Sequence, residues 1–362
     1  MRLLALLTVV VAACGSDPTS NDTTAVDALP TDVTVADTTV ADVAPEIVDQ
    51  TVCSAGGPIT LACIDETNLH TTMDAIVGPR TLADAKHQTA SELCKSTFTA
   101  LGFTVSELPA AQGTNVIGTR TGTTKPSELV VVGAHFDGVP GCDAADDNGS
   151  GVAGLLEVAR VLRAREHERT LVVACWDTEE LGLIGSDAHA ATLAATHADV
   201  AMAYVFEMIG FTSSEPNSQK FPTGFDLIFP DAAAKLAANE YRGDFITVVI
   251  GDDAPGPNAA MGAAASAIGL PQIPITLNQG LRSSDLLADL RRSDHASFWS
   301  RGYPAAMITD TANFRNPHYH CGDGADALAT LDFGFMRQVA AMTASAAEQT
   351  LDAPDRGTTT PP

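Results

Sequence analysis

The stretches 129-LVVVGAHFDGVPGCDAADDNGSG-151 and 175-CWDTEELGLIGS-186 decide the fold of this chain. In each region a short apolar run ends directly before polar residues: a His and an Asp after the first run, and two adjacent Glu residues after the second. A short, continuous apolar run predicts a strand buried on both faces. In open α/β folds the residues that follow such strands collect at one edge of the sheet. Because divalent metal ions bind imidazole and carboxylate groups, these residues predict a metal site at that edge.

Predicted strands and helices alternate along the rest of the globular sequence. This alternation indicates an α/β fold in which a central mixed, largely parallel β-sheet is sandwiched by α-helices. There is no internal repeat or second linker, so we expect a single domain. The strands are predicted at 129–135, 170–176, 200–206, 225–229, 245–250 and 304–309. The helices are predicted at 81–101, 151–164, 185–196, 231–240, 256–268 and 331–348.

Four of the predicted strands bring polar groups to the same edge of the sheet. One His or Glu at a strand end is ordinarily a surface residue. Four such ends together favour a metal site over scattered surface positions. The last of these residues follows the strand at 304–309 only after a loop. The candidate residues are His135, Asp137, Glu179, Glu180, Glu207 and His320.

The net charge of the 362-residue chain is −25. Phosphate binding requires clustered Lys and Arg, so this charge argues against a nucleic acid partner. A solvated acidic surface explains the charge, which could also attract cations or the cationic ends of substrates.

The first residues resemble an export signal. A positive start is followed by the apolar run 3–13, which is too short to span a bilayer as a mature helix, and small residues directly precede Cys14. This pattern is typical of a bacterial lipoprotein signal covering 1–14. We therefore expect an exported lipoprotein of the cell envelope, attached to the membrane only through a lipid on Cys14. The alternative is an ordinary secretory signal that yields a secreted protein.

The composition then divides the chain into three further parts. Residues 15–50 are rich in Thr and Asp, and Asp recurs there every five residues from Asp17 to Asp42. This period fits neither a helix nor a strand, so we expect a disordered tether. The globular domain is expected at 51–350 and a flexible tail at 351–362.

Six cysteines follow Cys14, and an even number in an exported chain permits disulfides. Cys53 and Cys63 are close enough in sequence to pair. The cysteines near the candidate ligands, at 142 and 321, could also be bridged. Cys94 and Cys175 lie in apolar helix and strand patterns, where buried free thiols are an equal alternative.

Five segments carry a resemblance to a known family. They are AHFD, DDNGSG, WDTEELGLIGS, FEMIG and PHYH, at 134–137, 146–151, 176–186, 206–210 and 317–320. In this order and spacing they resemble the co-catalytic dizinc aminopeptidase family, whose relatives include glutamate carboxypeptidases and glutaminyl cyclases. The resemblance runs from about residue 70 to 345 and implies a zinc-exopeptidase-like fold.

The resemblance implies two Zn²⁺ ions, although other divalent metals could occupy the same ligands. The ligands of the first metal position would be His135, Asp147 and Glu207. Those of the second metal position would be Asp147, Glu180 and His320. Asp147 would therefore bridge the two ions, with one carboxylate oxygen for each.

Three further roles follow from the resemblance. Glu179 would be the general base that removes a proton from the attacking water and passes it to the leaving amine. Asp137 would hydrogen-bond to His135 from behind and fix its tautomer. Tyr319 would help to hold the oxyanion, with simple packing as the alternative for its phenol.

Some neighbouring residues compete for these roles by residue type. Asp146 and Asp143 are alternatives to Asp147, and His318 is an alternative to His320. Many relatives have Thr after the last His, whereas this chain has Cys321, which puts the loop shape in doubt. Cys321 could itself be a ligand, although a disulfide fits an exported protein better.

The resemblance implies an enzyme that removes single residues from peptides with a free N-terminus, and we expect a monomer. A carboxypeptidase for acidic C-termini is the nearest alternative, but such relatives usually carry additional domains. A glutaminyl cyclase fits less well because cyclisation uses one zinc, and an inactive metal-binding scaffold is the non-enzymatic alternative. A carboxypeptidase would need cationic groups, for which the candidates are Arg282, Arg291, Arg292, Arg301 and Arg315.

Overall fold

The computed structural model describes Cys53 and residues 57–354. The strands are β1 (Thr104–Pro109), β2 (Thr114–Arg120), β3 (Lys125–His135), β4 (Arg169–Trp176), β5 (Asp199–Glu207), β6 (Ile246–Gly251), β7 (Gln272–Leu277) and β8 (Ala305–Thr309). They form one sheet in the order β1-β2-β4-β3-β5-β8-β6-β7. The central strands β4, β3, β5 and β8 are parallel to one another, which confirms the predicted mixed, largely parallel sheet.

Helices cover both faces of this sheet. One face packs against α1, α2, α3, α7 and α10, and the other against α4 and α9 at the centre and α5 and α6 at the β6–β7 side. Continuous burial on both faces explains why strands such as β4 are apolar throughout. The helices are α1 (Glu66–Ile76), α2 (Ala85–Ala100), α3 (Gly151–Arg163), α4 (Ile184–Ala195), α5 (Phe225–Ile228), α6 (Pro230–Ala238), α7 (Pro255–Ile268), α8 (Gln279–Arg282), α9 (His295–Trp299) and α10 (Phe333–Leu351).

The direction of the sheet reverses next to β8. This strand is parallel to β5 on one side and antiparallel to β6 on the other, while β7 follows the direction of β6. The carboxyl ends of β4, β3, β5 and β8 therefore lie at one edge, and those of β6 and β7 lie at the opposite edge.

The strand predicted at 225–229 is wrong, because this segment begins with the short helix α5. The apolar alternation of the sequence suggested a strand. However, Gly224 turns the chain with φ of +83°, and Pro230 begins α6 directly afterwards. Only Phe225 of the segment is buried, whereas Leu227 is 83% exposed. Turn and helix-start signals on both sides leave no room for a paired strand.

Three disulfides link described residues. Cys53 pairs with Cys63, and Cys142 pairs with Cys321. Cys94 in α2 pairs with Cys175 in β4. The alternative of free thiols at these last two positions is therefore wrong, since the packing of α2 on the sheet brings them together.

The predicted signal at 1–14, its Cys14 and the tether at 15–50 lie outside the described residues, as does 355–362 of the predicted tail. Leu351 is the buried end of α10, and the Ala353 carbonyl accepts hydrogen bonds from Lys125 and Arg169. Among the described residues, no helix has the length and hydropathy needed to cross a membrane.

Candidate metal centre

The structure brings the predicted ligands together at the carboxyl ends of β3, β4 and β5. Two groups of metal-binding side chains form there, each with one ligand atom per residue within 4.8 Å of the others. The first contains His135, Glu179 and Glu207, and the second contains Asp147, Glu180 and His320. Residues up to 185 positions apart in sequence thus meet at one site.

Asp147 lies between the two histidines. Its Oδ1 is 3.6 Å from His135 Nε2, and its Oδ2 is 3.2 Å from His320 Nε2. Glu207 Oε2 lies 3.3 Å from the same His135 nitrogen, and Glu180 Oε2 lies 3.5 Å from that of His320. The two carboxylate oxygens of Asp147 therefore face different partners, as a bridging ligand requires.

A network of buried hydrogen bonds positions the Asp147 segment. The Asp326 carboxylate accepts from the backbone N–H groups of Asp146 and Asp147. The Asn148 side chain donates to the Phe206 carbonyl and accepts from the Met208 N–H. The Asp147 segment is thereby attached to the end of β5, where Glu207 lies. The peptide bond between Asp147 and Asn148 is cis.

Asp137 connects the ends of β3 and β4. Its two oxygens accept hydrogen bonds from the backbone N–H groups of Glu179 (3.0 Å) and Glu180 (3.1 Å). Its Oδ1 also lies 3.4 Å from His135 Nδ1, which has no hydrogen-bond partner. Asp137 therefore lies behind His135, and its hydrogen bonds go to the loop that carries the two glutamates.

Buried carboxylates dominate the electrostatics of the site. Burial, followed by the charge of Asp147, raises the pKa of Glu180 to about 9. Burial also raises the pKa of Glu179 well above its ordinary value, against the opposing charge of His135. Burial lowers the pKa of His135, but Glu179, Asp137 and Glu207 outweigh it and raise that pKa well above the ordinary value.

The residues fit a pair of divalent cations. Both ring nitrogens of His135 and Oε1 of Glu180 are buried without a hydrogen-bond partner. Unpartnered buried polar atoms are costly, and so are several buried carboxylates without a counter-charge. Bound cations would coordinate the unpartnered atoms and neutralise the buried carboxylates. Imidazole with carboxylate ligands suits zinc.

Two of the four competing residues have other partners. The Asp146 carboxylate accepts hydrogen bonds from Gly210 N–H and Asn316 Nδ2, and Cys321 is in a disulfide. Asp143 and His318 belong to neither ligand group.

Several buried residues around the site were not assigned a role from the sequence. Ser293 Oγ donates to Glu207 Oε2 at 2.7 Å and orients that carboxylate. Its neighbour Asp294 is fully buried, and burial raises the pKa of this carboxyl to about 7. Arg80, also fully buried, donates to the carbonyls of Phe136 and Ala144. Ser293 and Asp294 follow no strand, so they lack the strand-end signal that pointed to Glu207.

Tyr319 lies at the mouth of an adjacent cavity. Its hydroxyl accepts a hydrogen bond of 2.6 Å from Arg292, whose guanidinium also lies over the ring. Arg292 is itself held by Asp289 and Asn313.

The cavity extends from Glu207 into the space beside the β6–β7 side of the sheet. It measures about 760 Å³ including its open mouth. Strand register explains its position, since Glu207 is paired with Thr309, and Thr309 with Thr247. The cavity is lined mainly by apolar side chains. These include Phe221, Phe225, Leu236, Phe245, Val249, Ile273, Ile275 and Met307.

A comparison with protein families matches residues 115–250 to the model described as Peptidase family M28. This region of the chain is similar to peptidase family M28. The match includes the candidate ligands from β3 to β5 and confirms the resemblance inferred from the sequence motifs.

Individual relatives extend the similarity beyond this region. The chain is 34% identical over 217 residues to the uncharacterized protein YfbL of Escherichia coli strain K12, covering 55% of this chain and 61% of that protein. It is 28% identical over 238 residues to leucine aminopeptidase 1 of Neurospora crassa, covering 60% and 50% respectively. The chain thus spans about half to three fifths of the length of these relatives.

The M28 fold is also found among solved structures. The LapA aminopeptidase of Legionella pneumophila superposes with a TM-score of 0.60 at 18% identity, covering 82% of this chain and 72% of that one. At this identity the similarity establishes a shared fold.

Proposed function

We propose that this chain is a zinc-dependent aminopeptidase that hydrolyses the N-terminal peptide bond of peptides. The observation that carries the proposal is the position of Asp147, whose two oxygens face the His135 and His320 groups. Glu179 supplies an additional carboxylate beside them. A two-metal hydrolase needs this combination of a bridging ligand and a spare base.

The proposed mechanism assigns separate roles to the residues of the site. When bound, two zinc ions would lower the pKa of a water molecule and polarise the scissile carbonyl. Glu179 accepts the proton of the attacking water and delivers it to the leaving amine. Tyr319, fixed by Arg292, donates a hydrogen bond to the oxygen that becomes negative. Asp137 fixes the backbone of Glu179 and Glu180, so that the two adjacent carboxylates keep their different directions.

The base assignment has one structural competitor, because Glu179 lies among the possible ligands of the first group. Asp147 supplies an alternative third ligand to that group through its Oδ1. With Asp147, His135 and Glu207 in place, Glu179 is left available for proton transfer.

The cavity beside Glu207 supports an apolar N-terminal residue as the substrate side chain. Its walls are mainly aromatic and aliphatic, and Glu207 of the candidate site is among the residues that line it. Burying a Leu or Phe side chain contributes about 1.5–3 kcal/mol. The relative named leucine aminopeptidase 1 fits this preference.

The arginines disfavour a carboxypeptidase for acidic C-termini. Arg301 is paired with Asp187, Arg282 with Asp253, and Arg315 is buried against Gln219. Arg291 donates to backbone carbonyls. Only Arg292 of these five lines the cavity, and Asp289 already accepts from it.

A peptide panel tests the proposal. Peptides X-Ala-Ala-Ala would be offered with free and acetylated N-termini, with X varied from Ala to Leu and Phe, and the products followed by mass spectrometry. We expect stepwise loss of N-terminal residues from the free forms alone, fastest for Leu and Phe. Cleavage that ignores acetylation and occurs at acidic C-termini would favour the carboxypeptidase. Cyclisation of N-terminal Gln would favour a glutaminyl cyclase, and bound zinc without turnover would favour an inactive scaffold.

We further propose that the protein is exported, acts as a monomer, and is attached to the cell envelope by a lipid on Cys14. The sequence pattern before Cys14 supports the anchor. Metabolic labelling with a radioactive fatty acid would give a labelled protein, and a Cys14→Ser variant would lose the label. An unlabelled wild-type protein in the medium would favour secretion.

A further inference from the structure

The disulfide Cys142–Cys321 joins two loops of the metal centre. Cys321 directly follows the candidate ligand His320, and Cys142 lies in the loop between Asp137 and Asp147. The two cysteines are 179 positions apart in sequence, and their Cα atoms are 5.7 Å apart. One covalent bond thus ties the loop of His320 to the segment that carries the bridging carboxylate.

The loop of His320 needs such a restraint. His320 and Cys321 have φ values of +52° and +57°, in the left-handed region that non-glycine residues seldom adopt. A non-glycine side chain is strained in this conformation. The side chain of His320 is 39% exposed, whereas that of His135 is 1% exposed. Surrounding side chains therefore hold His320 less tightly than they hold His135.

The other partner of the disulfide is anchored firmly. Cys142 is buried, and its loop is fixed by Arg80, which donates to the carbonyls of Phe136, Asp143 and Ala144. The sulfur of Cys321 also accepts from Asp326 N–H, and the Asp326 carboxylate binds the backbone of Asp147. The loop of His320 is thus held against a segment that several buried hydrogen bonds fix in place.

We propose that the Cys142–Cys321 disulfide positions His320 and thereby sets the affinity of the second metal position, so that reducing it releases one metal ion and leaves the other. The inference rests on the proposed two-metal site. The first metal position, formed by His135, Asp147 and Glu207, has no ligand in the loop of Cys321. Loss of the disulfide would therefore weaken zinc binding at the second position and leave the first position unchanged. Zinc occupancy of the site would thus depend on whether this disulfide is oxidised or reduced.

Zinc titration of the full metal-free protein tests the inference. The Cys142→Ser/Cys321→Ser variant would be compared with the wild type and with Cys53→Ser/Cys63→Ser, a control that lacks a disulfide outside the ligand loops. Competition with a chromophoric chelator reports both affinities. We expect two tight equivalents in the wild type and the control. In the variant, the second equivalent should bind at least about tenfold more weakly, the range found when groups that support metal ligands are removed.

A second measurement guards against misfolding of the variant. The zinc-loaded wild type would be treated with a non-chelating phosphine, the opened disulfide identified by alkylation and mass spectrometry, and the released zinc counted. Release of one equivalent as Cys142–Cys321 opens supports the inference. Retention of both equivalents after it opens, or equal second affinities in the three proteins, would overturn it. A wild type that binds a single equivalent would instead overturn the two-metal proposal together with this inference.

Discussion

Asp137 accepts a hydrogen bond of 3.1 Å from the backbone N–H of Glu180. Its other oxygen accepts from the next residue back, Glu179, so one carboxylate holds both peptide groups of the Glu-Glu pair. Adjacent side chains can be used for different tasks only if the backbone between them is fixed. Under the proposed function, the contact therefore connects a residue behind His135 to the separate roles of Glu180 as ligand and Glu179 as base.

Asp137→Asn should weaken the site without unfolding the chain. The amide keeps the shape but replaces one acceptor oxygen with a donor that faces a backbone N–H. Changes to groups that support metal ligands typically cost 10–100-fold in affinity or activity, and we expect a loss of about that size. Zinc affinity and kcat would be measured together. Unchanged values for both would show that the two hydrogen bonds do not position the glutamates.

Glu179→Ala should abolish turnover while two zinc ions remain bound. General-base catalysis contributes about 10²–10⁴-fold, so the remaining kcat should fall at least that far. Metal content by elemental analysis separates the two possible roles of this residue. If the variant retains activity, Glu179 is not the base, and if it loses one zinc ion, Glu179 is a ligand of the first group.

Asp147→Ala should lose both activity and metal, because its oxygens face both histidines. Asp146→Asn is the matched control at the neighbouring position. It loses charge on a carboxylate that binds Gly210 and Asn316, and it should lower stability while keeping both metal ions. The reverse result, two zinc ions in the first variant and none in the second, would assign the bridge to Asp146.

Val249→Phe should narrow the apolar cavity and shift substrate preference. Val249 lines the cavity from the middle of β6, where it pairs with Ile275 of β7 and Met307 of β8. The larger side chain should lower kcat/KM for N-terminal Phe about tenfold or more relative to Ala, at a stability cost of about 1–3 kcal/mol. Val249→Ala, which enlarges the cavity, is the control. An unchanged ratio of Phe to Ala would place the substrate side chain elsewhere.

The metal-free protein should become less stable as pH rises from 7 to 9. The folded pKa of Glu180 is about 9, whereas an unfolded Glu titrates near 4.3. Between these values the folded state holds a proton that the unfolded state releases, so a rise in pH favours unfolding. His189 and His295 are buried, and their folded pKa values are about 4. Their titration therefore changes the free energy of unfolding only below pH 7.

Zinc should remove this trend, because a bound cation replaces the proton on the ligands and binds more tightly at high pH. Thermal unfolding with and without zinc at pH 7 and 9 measures both effects. A metal-free melting temperature that rises over this range would contradict the prediction.

The central strands could be predicted because strands that are buried on both faces form continuous apolar runs in the sequence. The apolar runs before His135 and Glu179 are continuous, since β3 and β4 are covered on both faces. Glu207 was found in the same way, as the last residue of β5. His320 follows β8 only after a loop, so its place depended on the family motif.

Other features depend on contacts between distant parts of the chain. Asp326 acts on the backbone of Asp147 from 179 positions away, and Arg80 acts on a loop more than 50 positions ahead. The residue types of Asp326 and Arg80 do not indicate which backbone groups they contact. The strands β1, β2 and β7 were not predicted because polar residues, Gly or Pro interrupt their apolar runs. Pairing between Cys94 and Cys175 could likewise not be read from their spacing.

The sheet reverses direction beside β8, and the strands on the two sides of this reversal contribute different parts of the candidate site. Strands β3, β4 and β5 contribute candidate ligands from their ends, whereas β6 and β7 contribute side chains from their middles to the cavity wall. Under the proposed function, the side chains of β6 and β7 that would contact a substrate therefore lie on strands that hold no candidate ligand. A mutation on these strands could change the shape of the cavity while the candidate ligand set stays intact, so that substrate preference could evolve without a change in the proposed reaction.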